Sequence, residues 1–277
     1  MTHSHYIELV GKVVRVAETL VDEPGGLSLQ EMASRTGYVK SSVHRILHSL
    51  RRHGYIEQTG PGGKYRLGLQ FLVLASGIAA RIELVKMGRP FLHELVDRFG
   101  ESAFLAILRE GKGVFVDLEE APGTLRLIGP IGAIVHFHAT AAGKAMAAYF
   151  PEEVRSAILR CGPLPALTAR TLIQPHEVEN DWEEVRRRGY ALNDEETIVG
   201  ASYVAAPVFD SRKQVCGSIS VGVPKARFTP GLSDAIADHL IDACRRLSEM
   251  LRAAGYAHIT GNLQVSNQDN EPIQQGR

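Results

Sequence analysis

Apolar residues recur at helical spacing near the start of the chain and predict three short helices. The first is predicted at residues 6–21, and Pro24-Gly25-Gly26 ends it. Ser28-Leu29-Gln30-Glu31 has the pattern of a capping box and begins the second. The third is predicted at residues 40–52, where four apolar residues form one buried stripe: Val43, Ile46, Leu47 and Leu50. Short helices with tight turns between them predict a helix-turn-helix domain.

A candidate β-hairpin follows the third helix. Residues 55–58 and 64–67 read as strands, and the Gly- and Pro-rich segment 59–63 forms the turn between them. A hairpin behind such a helix is typical of a wing. Lys64 and Arg66 lie two positions apart, so both cations share one face and can contact a phosphate backbone.

The segment after the hairpin predicts a helix at residues 69–86 that is apolar on too many sides for a free linker. It is expected to pack against another chain or against both domains, and docking within the chain is the alternative. Pro90 is expected to start the next helix, because proline suits the first helical position. The predicted organisation is a winged helix at 5–67, a linker helix at 68–89, a C-terminal domain at 90–255 and a disordered tail at 256–277.

The C-terminal part predicts a mixture of strands and helices. Strands are predicted at 102–109, 114–119, 125–128, 202–209 and 214–223. Helices are predicted at 140–150, with Thr140 as its cap, and at 151–160, 176–188 and 231–254. Runs of strands with helices at the flanks indicate an α+β domain.

Charge is distributed unevenly in this chain of 277 residues, although its formal net charge is zero. Residues 35–66 hold seven basic residues and one acid, Glu57. Such a segment suggests a polyanion partner, although a solvated basic face or a protein-interaction module would carry the same pattern. The outward face of the third helix has no carboxylate, as a helix in a major groove requires. Double-stranded DNA is the predicted partner, and the candidate contacts are Ser28, Lys40, Ser41, Ser42, His44, Arg45, His48, Lys64 and Arg66.

Several classes of protein are excluded at this point. The three cysteines, Cys161, Cys216 and Cys244, form no Cys-x-x-Cys pair, so neither a disulfide framework nor a zinc knuckle is predicted. The longest apolar-rich stretch, residues 67–80, is too short for a membrane span, and the first residues lack the pattern of a signal peptide. A cytoplasmic protein with no membrane partner is expected.

Candidate catalytic chemistry is weak. His136 and His138 alternate on a strand-like stretch and could hold a metal, but no further ligands are evident. Gly143-Lys144 lacks both the first glycine and the hydroxyl residue of a phosphate loop. Asp194-Glu195-Glu196 is predicted to be a solvated loop. We therefore predict no catalytic residue, no metal and no cofactor.

A small-molecule site is the better prediction for the C-terminal domain. Thr140-Ala141-Ala142-Gly143 opens a helix with small side chains, and its free amides suit a carboxylate. Ser218 and Ser220 share one face of a predicted strand with Cys216, and they offer hydroxyls to a polar ligand. Plain solvent exposure of the two serines is the alternative.

Four stretches together resemble the IclR family of bacterial transcriptional regulators. They are residues 39–47 (VKSSVHRIL), 138–145 (HATAAGKA), 189–196 (GYALNDEE) and 204–210 (VAAPVFD) followed by 217–221 (GSISV). The resemblance covers about residues 5–255 and implies a winged helix-turn-helix joined to a GAF-like domain that binds an effector. It also implies homodimers, or dimers of dimers, and effectors that are small organic or aromatic acids.

The resemblance places the effector at Ala141, Ala142, Asn193, Tyr203 and Ser220, with Ser218 nearby. Together with Thr140 and Gly143 of the helix start, these are the candidate effector contacts. Asn193 stands where the family commonly has an acid, and Tyr203 is bulky enough to shrink the pocket or to stack on a ring. The sequence therefore predicts a DNA-binding regulator, more specifically a repressor, whose operator affinity is controlled by a small carboxylic acid.

Overall fold

A computed structural model describes residues 7–21, 23–60, 62–79, 83–129 and 131–257. The start of the predicted first helix at residue 6 and most of the predicted tail lie outside these residues. The chain divides into two compact units, Met1–Arg81 and Ile82–Arg277.

The first unit is a small helical domain with a two-stranded hairpin. Its core contains Val16, Met32, Val43, Leu47 and Ile56, all of which are almost completely buried. Its elements are α1 (Glu8–Glu18), α2 (Leu29–Thr36), α3 (Lys40–Arg52), β1 (Ile56–Gln58), β2 (Tyr65–Leu67) and α4 (Gln70–Ala79). The predicted helix-turn-helix and wing are confirmed.

Local sequence signals begin and end α2 as predicted. The Ser28 hydroxyl accepts the Glu31 amide, and the Glu31 carboxylate accepts the Ser28 amide across 2.7 Å. Gly37 ends the helix in the left-handed conformation with φ of 70°, which glycine adopts without a steric penalty. The capping box therefore fixes the start of the helix that precedes α3.

The second unit is an antiparallel sheet flanked by helices. The sheet order is β5-β4-β3-β8-β7-β6. Its strands are β3 (Ser102–Arg109), β4 (Lys112–Glu119), β5 (Ile134–Val135), β6 (Ala191–Asp194), β7 (Ala201–Phe209) and β8 (Val215–Pro224). Its helices are α5 (Glu83–Phe99), α6 (Ala141–Ala147), α7 (Glu152–Arg160), α8 (Pro175–Arg188) and α9 (Pro230–Ala253), with a 3₁₀ turn at Lys225–Arg227. The predicted α+β class is confirmed.

The two faces of the sheet have different partners. Ile219 and Val221 of β8 face the core formed with α5 and α9, as the alternation predicts. Ser218 and Ser220 face the opposite side, where α6 and α8 pack. The prediction that Cys216 shares their face is wrong, because the β7–β8 register shifts next to it and places it in the α5–α9 core.

The predicted helix start at Pro90 is wrong. Helix α5 (Glu83–Phe99) runs through Pro90, whereas residues 80–82, between α4 and α5, lie outside the described residues. Proline interrupts one backbone hydrogen bond, but the buried stripe of α5 continues on both sides of it with Leu84, Gly88, Phe91 and Leu92. Tertiary packing on the sheet therefore outweighs the local preference of proline for a helix start.

Two strand assignments also differ from the prediction. Residues 125–128 form no strand, whereas Ala191–Asp194 forms β6 at the sheet edge beside β7. A strand of this length has too few residues for the alternation of apolar and polar positions to be recognised in the sequence. No helix among the described residues is both long and apolar enough to cross a bilayer.

Candidate functional site

The outer surface of α3 is basic and largely exposed. Lys40, His44, His48 and Arg51 follow one another at spacings of three or four residues and form one stripe. Ser41 and Arg45 are exposed on the adjoining surface, and Ser42 is half-buried. The predicted DNA contacts on this helix are thus presented on two neighbouring strips.

A groove of about 490 Å³ separates the basic stripe from the hairpin. Its other lining residues are Ser28, Leu29 and Gln30 at the start of α2, and Gln58, Gly62, Gly63 and Tyr65 of the hairpin. No carboxylate is among its lining residues in the described part of the chain. Such a groove suits a polyanion, since phosphate groups are bound mainly by cations, hydroxyls and backbone amides.

The hairpin presents its cations as predicted. Lys64 and Arg66 are exposed, while Tyr65 between them is 7% exposed and packs into the core. Leu27 pairs with Tyr65 through two backbone hydrogen bonds of 3.0 and 2.7 Å. The segment at Leu27 therefore pairs with strand β2 and helps to hold the hairpin on the domain.

Two charged groups in the first unit already have partners. Arg35 forms an ion pair with Glu23 at 2.5 Å, so its charge is locally balanced. The pKa of Glu31 is lowered mainly by its hydrogen bond with the Ser28 backbone, which keeps the capping carboxylate ionised. Ser28 thus serves the cap while it lines the groove.

The start of α6 is closed by the chain itself. The Thr140 hydroxyl accepts the Gly143 amide across 3.0 Å and donates to the His136 carbonyl across 2.9 Å. A side chain at position 143 would place its Cβ 2.3 Å from the same carbonyl oxygen. The helix cap therefore uses the Gly143 amide, while the effector contact predicted for Thr140, Ala141, Ala142 and Gly143 stays a prediction.

Asn193 is also occupied by internal contacts. Its Nδ2 donates to the Ala139 carbonyl across 2.8 Å and to the Thr197 hydroxyl across 2.9 Å, and its Oδ1 accepts the Glu196 amide. The residue is 1% exposed. Asn193 therefore joins the β6–β7 turn to the residue before Thr140, and a direct ligand contact would have to displace these bonds.

The two serines of β8, Ser218 and Ser220, have different surroundings. Ser218 donates to the Ala142 carbonyl across 3.1 Å and ties β8 to α6. Ser220 is 2% exposed and lies opposite Phe104 of β3. Because the Ser218 hydroxyl is used to hold α6 on β8, Ser220 is the stronger candidate for a ligand contact.

An aromatic wall lies beside Ser220. Phe104 is its neighbour on β3, and the Phe104 ring meets the rings of Tyr203 and Phe115 edge-on at centroid distances of 6.1 Å. A Cβ at Gly222 would lie 2.6 Å from the Tyr203 ring, so glycine is needed for the ring to lie across β8. Burial raises the pKa of Tyr203 to about 12, which keeps its phenol protonated. Sequence reasoning missed Phe104 and Phe115, because only strand pairing brings them to Ser220.

Lys144 is the most buried cation of the described chain at 1% exposure. Its ammonium lies 2.7 Å from a Glu196 oxygen and 3.0 Å from an Asp181 oxygen. Burial raises the pKa of Glu196, while the Lys144 charge opposes that shift. The prediction of a solvated acidic loop is therefore wrong for Glu196, which is buried and forms an ion pair with Lys144.

His136 and His138 do not lie on a strand. They follow β5 in a turn, and His138 is 3% exposed with its Nε2 lying 3.0 Å from the Pro165 carbonyl. Burial lowers the pKa of His138 to about 4, so the imidazole is neutral and donates from Nε2. Among the described residues, no group of three His, Cys, Asp or Glu side chains is arranged to hold a metal ion.

These features define the chain as a helix-turn-helix DNA-binding protein. Residues 10–60 match the helix-turn-helix domain of IclR, and residues 77–249 match the C-terminal domain of the bacterial transcriptional regulator IclR. The chain therefore belongs to the IclR family of bacterial transcriptional regulators, as the sequence motifs predicted. This is a family of regulators, not of enzymes.

Known relatives are similar over most of their length. The transcriptional repressor IclR of Escherichia coli is 28% identical over 225 residues, which cover 80% of this chain and 82% of the relative. The regulator BhcR of Paracoccus denitrificans is 33% identical over 229 residues, covering 83% and 82% respectively. The solved IclR regulator of Alicyclobacillus acidocaldarius has the same fold, with a TM-score of 0.78 at 24% identity over 91% of this chain and 100% of that one.

Proposed function

We propose that this regulator is a cytoplasmic repressor that binds its operator through α3 and the wing and releases it in response to a small acid. The observation that carries the DNA-binding part is the basic stripe of α3 beside a groove without carboxylates. Phosphate contacts from Lys64 and Arg66 supply affinity, and Arg45 supplies a base contact in the major groove.

A homodimer, or a dimer of dimers, is the proposed assembly. Leu9 and Val10 of α1 are 60% and 55% exposed, and Leu72 and Leu74 of α4 are 66% and 49% exposed. Apolar residues exposed in such numbers on a small domain indicate a surface that a partner covers. A second copy would also supply the second α3 that reads a two-fold symmetric operator.

The proposed effector is a small acid that carries a ring. Phe104 and Tyr203 offer aromatic surfaces, and the buried Ser220 lies beside Phe104. Ala141 and Ala142 are small, buried residues of α6, the helix that packs on this face of the sheet. A solved family member from Microbacterium hydrocarbonoxydans was crystallised with 4-hydroxybenzoate, which makes this compound the first probe to use.

The effector acts through its differential affinity for DNA-competent and DNA-incompetent states of the protein. A coupling free energy of ~1–3 kcal/mol would change operator affinity about 5- to 150-fold. An effector that binds both states equally well would change nothing.

The test is a binding titration of the purified protein with duplex DNA from the region flanking its own gene. A shuffled duplex of equal length is the control, and both are titrated across a salt series with and without 4-hydroxybenzoate and a panel of related acids. Specific, salt-sensitive binding that one acid releases would support the whole proposal. Binding strengthened by an acid would contradict the proposed release, and no preference over shuffled DNA would favour a ligand-binding or interaction module instead.

A further inference from the structure

Arg51 and Gln58 join α3 to the wing at the wall of the groove. Arg51 lies in the last turn of α3, and its Nη1 donates to Gln58 Oε1 across 2.5 Å. Gln58 ends β1, and its Nε2 donates to the Gly63 carbonyl across 3.2 Å. One carboxamide therefore holds a helix side chain with its oxygen and the turn of the wing with its nitrogen.

Arg51, Gln58 and Gly63 all line the groove. Arg51 extends the stripe of Lys40, His44 and His48, whereas Gly63 belongs to the tip of the wing. A Cβ at Gly63 would lie 2.4 Å from the Thr59 carbonyl oxygen, so glycine is needed for the turn of the wing to close. A chain of phosphates fits this chemistry, because one wall is cationic and the other is a narrow polar turn.

The neutrality of Gln58 matters for the charge of Arg51. A carboxamide oxygen orients the guanidinium without cancelling its positive charge. It accepts one N–H group of Arg51 and leaves the other N–H groups of the guanidinium available to a phosphate. A glutamate at the same place would form an ion pair with Arg51 and remove its net attraction for phosphate. The choice of glutamine thus keeps the cation both oriented and available.

We propose that Gln58 is a positioning residue of the DNA-binding surface. It fixes Arg51 and the turn of the wing relative to each other, so that the groove seats one phosphodiester strand between α3 and the wing. This inference rests on the proposed placement of DNA at α3. It adds Arg51 as a phosphate contact, and it assigns Gln58 a role that acts through Arg51.

The test compares Gln58→Ala, Arg51→Ala and the double variant by fluorescence anisotropy with labelled operator-region DNA and a shuffled duplex. Salt is varied from about 50 to 200 mM, where phosphate contacts dominate the affinity change. Each single variant should bind both duplexes about tenfold more weakly, as expected for the loss of one charge-assisted hydrogen bond. Each should also lower the slope of log affinity against log salt by about 1.

The slope of log affinity against log salt distinguishes a positioning role of Gln58 from other roles. Gln58 has no charge, so its removal lowers the slope only if a cation loses its phosphate contact as a result. The double variant should bind no more weakly than either single variant, because both lose the same contact. Gln58→Glu should bind still more weakly at an unchanged thermal midpoint, whereas a role confined to hairpin stability would tolerate that change.

Gln30→Ala is the matched control, since Gln30 lines the groove but has no side-chain hydrogen bond among the described residues. It should leave the salt slope unchanged. Arg51→Ala carries the test if Gln58→Ala fails to fold, because Arg51 is exposed. An unchanged slope in Gln58→Ala, or additive losses in the double variant, would overturn the inference. Wild-type protein without salt-dependent binding would instead overturn the DNA-binding role itself.

Discussion

Lys144 and Glu196 form a buried ion pair of 2.7 Å although they lie 52 positions apart in the chain. Lys144 belongs to α6, and Glu196 belongs to the turn between β6 and β7. Asp181 of α8 lies 3.0 Å from the same ammonium. Helices α6 and α8 and the β6–β7 turn therefore meet at a single charge.

Removing this charge should destabilise the second unit strongly. In Lys144→Met, the carboxylates of Glu196 and Asp181 would be left in the interior without their cation, and the expected cost is about 3–5 kcal/mol. The free energy of unfolding can be measured in urea through Trp182, the single tryptophan, which is fully buried. Lys225→Met is the matched control, because Lys225 pairs with Asp194 at a partly exposed site and should cost about 1 kcal/mol or less. Equal losses in the two variants would contradict the special role of the buried pair.

His138 should make the second unit less stable in mild acid. Its folded pKa is lowered to about 4 by burial, so the unfolded chain takes up a proton first as the pH falls below about 6.5. The stability is therefore complete above pH 6.5 and is progressively lost toward pH 4, by about 2 kcal/mol at pH 5. His138→Gln keeps a donor for Pro165 and should flatten this dependence, as measured by urea unfolding at pH 7 and pH 5. A variant as acid-sensitive as the wild type would assign the effect to another group.

Gly143→Ala should disturb the start of α6. The new Cβ would lie 2.3 Å from the His136 carbonyl oxygen and 2.7 Å from the Thr140 hydroxyl, so the cap has to shift at a cost of about 2–3 kcal/mol. Gly231→Ala in the first turn of α9 meets nothing within 4 Å and should be neutral or stabilising by up to about 1 kcal/mol. Thermal unfolding of both variants measures the difference. A harmless Gly143→Ala would show that the cap is not closed as described.

Ser220→Ala should weaken effector binding and leave DNA binding without effector unchanged. Ser220 is buried beside Phe104 in the proposed effector site, so loss of its hydroxyl would remove a hydrogen bond to the bound ligand. We expect about a tenfold loss of affinity for the effector, measured by calorimetry. Asn193→Ala should instead lower the thermal midpoint, because Asn193 makes three internal hydrogen bonds. Full effector affinity in Ser220→Ala would place the ligand elsewhere.

Arg45→Ala should reduce the discrimination between operator and shuffled DNA. A bidentate arginine contact to guanine contributes about 1–3 kcal/mol of discrimination, so the ratio of the two affinities should fall at least tenfold. Lys64→Ala is the comparison, since loss of a phosphate contact weakens both duplexes about equally. An unchanged ratio in Arg45→Ala would remove α3 from direct base recognition.

Local signals in the sequence were sufficient for the first unit. The capping box at Ser28, the apolar stripe of α3 and the turn-rich hairpin are set by residues within a few positions of each other. The same reasoning located β3 at Ser102–Arg109 and the Thr140 cap of α6. The basic character of α3 also followed from composition, because charges on an amphipathic helix lie opposite its apolar stripe.

In the second unit, the tertiary structure decided which hydrogen-bond partner each polar side chain has. Asn193 meets Ala139 across 54 positions, and Ser218 meets Ala142 across 76. A one-residue bulge turned Cys216 to the opposite face, and packing on the sheet carried α5 through Pro90. By itself, the sequence determined which residues could form helices, strands and polar contacts. Only the fold decided which donors and acceptors were already paired, because hydrogen bonds between distant segments depend on register and packing that no local pattern records.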